Sequence, residues 1–187
     1  YSLPGMPCLY YGDELGMGDW PGLRDRDPNR TPMAWTPARN GGFSTAPDPL
    51  LVLPPITAPG YDYRVVNVEV QKQLPGSLLN WHRRMLTCRR LLPALRHGKF
   101  ELLKCAHPGV ISYVRCDGSM TVLVAANLSA AGASLHLDLS RWSGLRTREV
   151  FWGCEYPPAS EDWFVYLPAH GFSWWLIGEV EDVKADQ

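Results

Sequence analysis

Charged side chains that could do chemistry are concentrated near the start of this 187-residue chain. Asp13 and Glu14 are adjacent carboxylates that follow an apolar run, residues 6–11, which ends at Tyr11. Two carboxylates that act together as acid and nucleophile must face the same bond. Neighbouring residues of an extended chain point to opposite sides, so Asp13 and Glu14 do not suit such a pair. We favour an interpretation in which one carboxylate anchors the following loop through backbone N–H groups, with direct catalysis as the alternative.

A denser cluster of charge follows in a loop rich in proline and glycine. Arg24, Asp25, Arg26, Asp27 and Arg30 mix basic and acidic groups within a short stretch. The planar guanidinium of arginine makes paired hydrogen bonds with carboxylates and can bridge neighbouring hydroxyl groups. The alternative is a set of exposed ion pairs that contribute little to stability. Composition alone does not separate a ligand-binding loop from a charged surface.

Several other classes of function have no support in the sequence. The net charge of −1 leaves no basic stripe for nucleic acid, and no glycine-rich phosphate loop occurs. The histidines are scattered without H-E-x-x-H spacing, so we predict no metal site and no cofactor. No apolar run approaches the roughly 20 residues that cross a bilayer. The odd number of cysteines, five, argues against a complete disulfide framework and favours reduced thiols in a cytoplasmic protein.

Two segments must position the charged groups. Residues 6–11 are too short for a buried helix and have Pro and Gly nearby, which predicts a strand buried on both faces in a parallel sheet. In barrel enzymes the C-terminal ends of such strands carry the active site. Residues 18–76 hold ten of the seventeen prolines and show no helical or strand period, which predicts a long functional loop. Its aromatic residues, including Trp20 and Trp35, argue against disorder.

A helix and then a run of strands are predicted after this loop. Ser77 is a suitable N-cap, and Pro93 disfavours helix beyond Leu92. The apolar helix face comprises Leu78, Trp81, Met85, Cys88, Leu92 and Leu95. The five arginines between residues 83 and 96 are assigned to a solvated outer face. From residue 99 onwards apolar and polar residues alternate, as at 134–139 and 172–177, and the nearly apolar segment 120–128 predicts a central strand. Six or seven such strands predict an antiparallel β-sandwich.

Several segments resemble sequence motifs of the α-amylase family of glycoside hydrolases. Residues 5–14, GMPCLYYGDE, resemble the family's eighth barrel strand, and residues 26–35, RDPNRTPMAW, resemble R-D-x-x-R-T-P-M-Q-W of its α-glucosidase-like branch. Residues 40–44 resemble its N-A-G-F-S motif, and residues 122–129 resemble its C-terminal domain. The resemblance covers essentially the whole chain, in order. One departure is Ala34, where the family usually has glutamine.

The resemblance implies an α/β plus all-β fold class. Residues 1–97 would form the last strand, loop and helix of a (β/α)8 barrel, and residues 98–187 an antiparallel β-sandwich. A barrel of this kind takes about 250 residues, so we expect the sequence to be the C-terminal part of a longer enzyme. The family's nucleophile, acid and third carboxylate belong to strands four, five and seven, which would precede Tyr1. No catalytic residue is therefore assigned within this chain, and the chain alone is expected to be inactive.

The same resemblance implies a set of substrate-binding or active-site loop residues. These are Arg26, Arg30, Asp27, Glu14, Asp13 and Tyr11. Arg26 would contact the non-reducing glucose or pair with a carboxylate outside this chain, and Arg30 would brace the same loop. No cofactor and no metal ligand are implied within these residues. A structural calcium ion in the part of the barrel before Tyr1 is left open.

Two further segments narrow the resemblance to one subgroup. Residues 53–56, LPPI, and residues 61–71, YDYRVVNVEVQ, resemble members that interconvert maltose and trehalose by retaining intramolecular glucosyl transfer. The alternatives are an α-glucosidase or oligo-1,6-glucosidase that hydrolyses its substrate, and a non-catalytic carbohydrate-binding sandwich. A carbohydrate-binding sandwich would need exposed aromatic residues on its surface within residues 99–178. The alternating leucines predict instead that the faces of these strands pack against other parts of the protein. The expected partners are small saccharides, maltose and trehalose, and neither nucleic acid nor a membrane; the oligomeric state is left open.

Overall fold

The computed structural model describes residues 1–118 and 120–178. The chain divides into two compact units. The first, which we call the β unit, contains residues 1–6 and the chain from Met85 onwards, and the second, the loop unit, contains residues 7–84. Within the described ranges, every helix is too short or too polar to cross a bilayer.

The strands of the β unit form two antiparallel sheets. Their bounds are β1 Lys99–Leu102, β2 Val110–Cys116, β3 Thr121–Asn127, β4 Ala133–Leu137, β5 Thr147–Glu149, β6 Glu155–Tyr156, β7 Trp163–Leu167 and β8 Phe172–Ile177. Six strands lie in the order β1-β2-β3-β8-β5-β6, and β4 pairs with β7 in a second sheet. The predicted antiparallel sandwich is therefore confirmed. Strand β3 lies between β2 and β8, as its apolar sequence predicts.

The helices begin and end at recognisable signals. They are α1 Val68–Gln73, α2 Leu78–Leu91 and α3 Pro93–His97. Ser77 caps α2, because its Oγ accepts a hydrogen bond of 3.2 Å from the Asn80 N–H. Helix α2 ends before Pro93, which begins α3 and cannot donate a backbone hydrogen bond. Both predicted ends of the helix are confirmed.

Two apolar cores lie on opposite faces of the six-stranded sheet. One face packs against the inner side of β4 and β7, with Leu135 and Trp175 among the contacts. The other face packs against α2 and α3, with Leu92 and Trp174 among the contacts. Strand β8 is covered on both faces, so the consecutive residues Trp174 and Trp175 are both buried. This burial explains why β8 is apolar at adjacent positions.

Part of the predicted outer face of α2 is buried instead. Arg89 is only 8% exposed, and its guanidinium donates hydrogen bonds to the backbone carbonyl oxygens of Tyr1, Leu3 and Gly5. Residues 1–5 cover this side of the helix, so the prediction of a solvated face is wrong at this position. Conversely, Leu78, which was assigned to the apolar face, is exposed.

A second buried arginine holds the same segment. Arg115 on β2 is 1% exposed and donates to the carbonyl oxygens of Ser2 at 2.8 Å and Gly98 at 3.0 Å. Burial, and then the positive charge of Arg89, lower the pKa of Arg115. Within residues 1–118 and 120–178 neither guanidinium forms an ion pair with a carboxylate. Backbone carbonyl oxygens are therefore the acceptors for two buried positive charges.

The loop unit has short turns and a small core. Turns of 3-10 type occur at Asp13–Leu15, Asp27–Asn29, Arg39–Gly42 and Asp48–Leu50. Leu15, Met33 and Leu79 form its buried apolar cluster. Most of residues 18–76 is irregular, as predicted. Helix α1 is the exception, and it was not predicted because six residues are too few to show a helical period. Asn67 caps this helix by accepting a hydrogen bond of 2.9 Å from the Val70 N–H.

A buried glutamine joins three parts of the loop unit. The Gln71 side chain donates from Nε2 to the Leu15 carbonyl at 2.8 Å and accepts at Oε1 from the Leu79 N–H at 3.0 Å. It links the turn after residue 12 to the first turn of α2. The N-V-E-x-Q segment noted in the sequence therefore supplies structural contacts, through the Asn67 cap and the Gln71 side chain.

The apolar run 6–11 is neither a strand nor a helix. Its residues are exposed, and Met6 is 92% exposed. The prediction of a buried strand is therefore wrong for the chain by itself. A parallel strand is buried only when hydrogen-bonded strands flank it and helices cover it. Every strand of the described ranges belongs to the two antiparallel sheets of the β unit, so nothing pairs with residues 6–11.

Candidate functional site

The loop unit contains a cavity of about 620 Å³. Its polar lining includes Tyr11, Glu14 and Arg30, three of the six site residues predicted from the sequence. The remaining lining residues are Pro32, Met33, Trp35, Phe43, Ser44, Ala46, Leu50, Leu51, Val52 and Leu53. An apolar cavity with a few polar groups is the usual form of a small-molecule site.

A tight turn brings Glu14 to the cavity. Gly12 has φ +95, which a residue with a side chain rarely adopts, and the 3-10 turn Asp13–Leu15 follows it. Glu14 Oε2 accepts from the Gly12 N–H at 2.8 Å, and Asp13 Oδ2 accepts from the Tyr10 N–H at 3.1 Å. Both carboxylates thus accept hydrogen bonds from backbone N–H groups, whereas the sequence interpretation had one carboxylate anchoring the following loop. The chain here is a turn, however, and the N–H groups belong to the preceding residues and not to the following loop.

Tyr11 connects the end of the apolar run to the R-T-P-M segment. Its hydroxyl donates to the Thr31 carbonyl oxygen at 3.1 Å. Burial, followed by the hydrogen bond and charge of Tyr10, raises the pKa of Tyr11, and the Arg30 charge opposes this shift. The phenol therefore stays neutral at physiological pH. It fixes the cavity wall through a contact across twenty residues, which sequence spacing does not reveal.

The rest of the charged cluster lies outside the cavity lining. Arg24, Asp25, Arg26 and Asp27 are exposed, and Asp27 begins the 3-10 turn that precedes Arg30. No ion pair joins these charged groups among the residues that the structure describes. Of the predicted residues, the structure brings Tyr11, Glu14 and Arg30 together, whereas Asp13, Arg26 and Asp27 do not line the same cavity.

Sequence reasoning missed the turn that presents Phe43 to the cavity. Asn40, Gly41 and Gly42 have consecutive positive φ values of 55, 66 and 70. The buried Asn40 side chain donates from Nδ2 to the carbonyl oxygens of Ser44 at 3.0 Å and Ala46 at 2.9 Å. The available signal was the Asn-Gly-Gly sequence itself, because these residues tolerate left-handed backbone best.

The cavity lacks a pair of carboxylates. Among the described residues that line it, Glu14 is the only acidic one, and its carboxylate already accepts a backbone hydrogen bond. No cluster of three or more potential metal ligands occurs within the described ranges. The cavity therefore offers apolar side chains, the Arg30 charge and the Tyr11 phenol as contacts for a small molecule. The described residues alone do not form a glycosidic acid–nucleophile pair.

Profiles of known families match both parts of the chain. Residues 1–98 match the profile described as alpha amylase, catalytic domain, and residues 100–174 match that of maltogenic amylase, C-terminal domain. The trehalose synthase/amylase of Mycobacterium tuberculosis is 47% identical over 180 residues, which covers 94% of this chain and 30% of that protein. The trehalose synthase of Pimelobacter sp. is 46% identical over 181 residues, covering 94% of this chain and 32% of that protein. The chain thus spans about a third of the length of these curated relatives.

Solved structures support the same fold. The trehalose-6-phosphate hydrolase of Bacillus licheniformis superposes with a TM-score of 0.72 over 95% of this chain and 37% of that chain, at 19% identity. The matched profiles assign residues 1–98 to an amylase catalytic domain and residues 100–174 to an amylase C-terminal domain, and the structure forms the latter region as an antiparallel β-sandwich. The chain belongs to the α-amylase family.

Proposed function

We propose that this chain is part of a trehalose synthase, an enzyme that interconverts maltose and trehalose by retaining intramolecular glucosyl transfer. The observation that carries the proposal is the 46–47% identity to trehalose synthases over 94% of the chain. The cavity of the loop unit supports it, since its size and apolar lining suit part of a saccharide site. The substrates on this proposal are the small saccharides maltose and trehalose.

The reaction balances without a redox partner or cofactor. A carboxylate attacks the anomeric carbon of maltose while a carboxylic acid protonates the glycosidic oxygen, so the α-1,4 bond breaks, glucose is released and a covalent glucosyl–enzyme forms. The released glucose turns, and its anomeric hydroxyl attacks the same carbon. The second carboxylate takes the hydroxyl proton as the α,α-1,1 bond forms and the nucleophile leaves. We assign both carboxyl groups to a part of the enzyme outside these 187 residues.

This chain would supply the surroundings of that chemistry. Water must be excluded, because it would hydrolyse the glucosyl–enzyme, and the apolar side chains Trp35 and Phe43 line the cavity where exclusion is needed. Arg30 would donate charged hydrogen bonds to sugar hydroxyls or to a carboxylate of the missing part. Asp13 and Glu14 would hold the turn that presents Tyr11. Arg26 and Asp27 would reach the substrate or an outside carboxylate only in the longer enzyme.

We further propose that the barrel portion is residues 1–97 and that the β-sandwich domain is residues 98–187. The profile matches to residues 1–98 and 100–174 support this boundary. It differs from the division of the isolated chain into compact units, in which residues 1–6 group with the β unit. A cytoplasmic location is proposed from the odd number of cysteines.

A chimeric enzyme tests the proposal. This chain would replace the matching segment of the Pimelobacter trehalose synthase, to which it is 46% identical. We expect the chimera to convert maltose to trehalose, measured by chromatography of the products, and we expect the 187-residue chain alone to release neither trehalose nor glucose. A folded chimera that releases only glucose would favour the hydrolytic α-glucosidase instead. Trehalose formed by the chain alone would contradict the assignment of the carboxylates.

The role of Arg30 has a separate test in the active chimera. Arg30→Gln removes the charge but keeps a hydrogen-bonding side chain, and we expect kcat/KM for maltose to fall about tenfold, the value of one charge-assisted hydrogen bond. The matched control is Arg24→Gln, an exposed arginine outside the cavity lining, which should change kcat/KM less than about twofold. Equal effects of the two variants would remove Arg30 from the site.

A further inference from the structure

The alternating leucines predict that the sheet faces are used in packing. The outer face of the two-stranded sheet is exposed instead. In β4 and β7 every second residue is buried, and the residues between them point outward. Ser134 lies opposite Tyr166, and His136 lies opposite Phe164. Phe164 is 49% exposed and Tyr166 is 59% exposed. The leucines fill the inner face, and two aromatic rings remain on the outer one.

Both rings of this face have close neighbours. The Phe164 ring lies 5.1 Å from the His136 ring, and His136 Nδ1 contacts Asp162 Oδ1 at 2.5 Å. The Tyr166 ring lies across Gly132, where a Cβ atom would come within 2.0 Å of the Tyr166 hydroxyl oxygen. Glycine is therefore required at residue 132 for the ring to occupy this position. A ring that already packs against a neighbour, as Phe164 does against His136, loses less conformational entropy when a ligand stacks on it.

Polar groups stand beside the rings. His136 and Asp162 are both largely exposed, and the contact between them uses the Oδ1 atom of Asp162. Among the described residues no partner forms a hydrogen bond with the hydroxyl groups of Ser134 or Tyr166. Aromatic faces for the C–H groups of a pyranose ring, with carboxylate and hydroxyl groups for its hydroxyls, are the contacts that a saccharide needs.

We propose that the outer face of β4 and β7, formed by Ser134, His136, Asp162, Phe164 and Tyr166, is a binding site for α-linked glucose oligomers. The two aromatic residues are two positions apart on one strand, about 6.6 Å, so the site accommodates more than one sugar ring. Two half-exposed rings present far less area than the roughly 800 Å² per partner that a stable protein interface buries, so a saccharide fits better than a second protein. The choice of an α-glucan rests on the proposed function; the presence of a saccharide site on this face does not.

The test is a titration of the 187-residue chain with maltoheptaose, in which calorimetry measures the binding. We expect saturable binding, and we expect the double variant Phe164→Ala/Tyr166→Ala to raise Kd about tenfold or more. Phe164→Tyr, which keeps the ring, should retain most of the affinity. Leu128→Ala removes an exposed apolar side chain outside this face and should leave Kd unchanged.

The other outcomes each overturn the proposal. Absence of binding, or binding that the double variant does not weaken, would place no saccharide on this face. Concentration-dependent dimerisation that the double variant abolishes, without saccharide binding, would assign the face to a second copy of the chain. Circular dichroism would establish that the double variant is folded. The chimera's activity on maltose reports on the proposed function independently, because these residues lie outside the loop unit.

Discussion

Arg89→Met is expected to lower the free energy of unfolding of the β unit by about 3 kcal/mol. The guanidinium is buried and donates to three backbone carbonyl oxygens, of Tyr1, Leu3 and Gly5. Methionine fills a similar volume but carries no donor and no charge, so the variant removes the three hydrogen bonds together with the buried charge. The adjacent Arg90 is exposed on the same helix, and Arg90→Met should cost less than about 0.5 kcal/mol.

Urea unfolding of the 187-residue chain, followed by tryptophan fluorescence, measures the difference. Trp174 and Trp175 are buried in the β unit and report on its unfolding. Limited proteolysis should show that residues 1–6 become accessible in the Arg89 variant before the sheets unfold. Removing a buried charge that has no carboxylate partner can itself be favourable. A stability equal to that of the Arg90 variant would therefore mean that the lost hydrogen bonds and the relieved desolvation cancel.

Gly42→Ala is expected to destabilise the loop unit by about 3 kcal/mol, from two separate causes. Its φ is +70, and an added Cβ atom would come within 2.5 Å of Thr36 Oγ1. The left-handed backbone alone costs about 1–2 kcal/mol for a residue with a side chain. The collision adds about 1–2 kcal/mol, because Thr36 must move.

A matched glycine separates the two causes. Gly60 has φ +82 with no atom within 4 Å of its added Cβ, so Gly60→Ala should cost only the backbone contribution, about 1 kcal/mol. Thr36→Ala removes Oγ1, so Gly42→Ala in that background should cost about as little as Gly60→Ala. Urea unfolding monitored through Trp35 would measure all four variants. A Gly42 variant no worse than the Gly60 variant would refute the collision.

Short sequence patterns predicted those helices and strands whose formation depends on neighbouring residues. The alternation around Leu135, the Ser77 cap and the Pro93 break all appear where the sequence places them. The strand expected at residues 6–11 does not, because a parallel strand needs neighbouring strands that residues 1–118 and 120–178 do not provide. Arg89 was misassigned for a related reason. Helical periodicity shows which face a residue occupies, but not that a distant segment covers it.

The candidate site was predictable only in part. Residue type and motif pointed to Tyr11, Glu14 and Arg30, and these line the cavity. The apolar wall could not be foreseen, since Phe43 and residues 50–53 lie in a segment without any period. The same holds for Gln71, whose two side-chain contacts join residues far apart in sequence. Such contacts leave no trace in composition or spacing.

The two buried arginines recognise main chain and not side chains. Every amino acid carries a carbonyl oxygen, so a replacement at Leu3 would leave that acceptor of Arg89 in place, whereas the φ of +100 at Gly5 favours glycine. An inserted or deleted residue, by contrast, would carry those oxygens out of reach. We expect the contacts of these arginines to tolerate a change of side chain at Leu3 and to require a fixed number of residues in the segment 1–5. Sequence drift can therefore be tolerated here while the distance that the segment spans stays fixed.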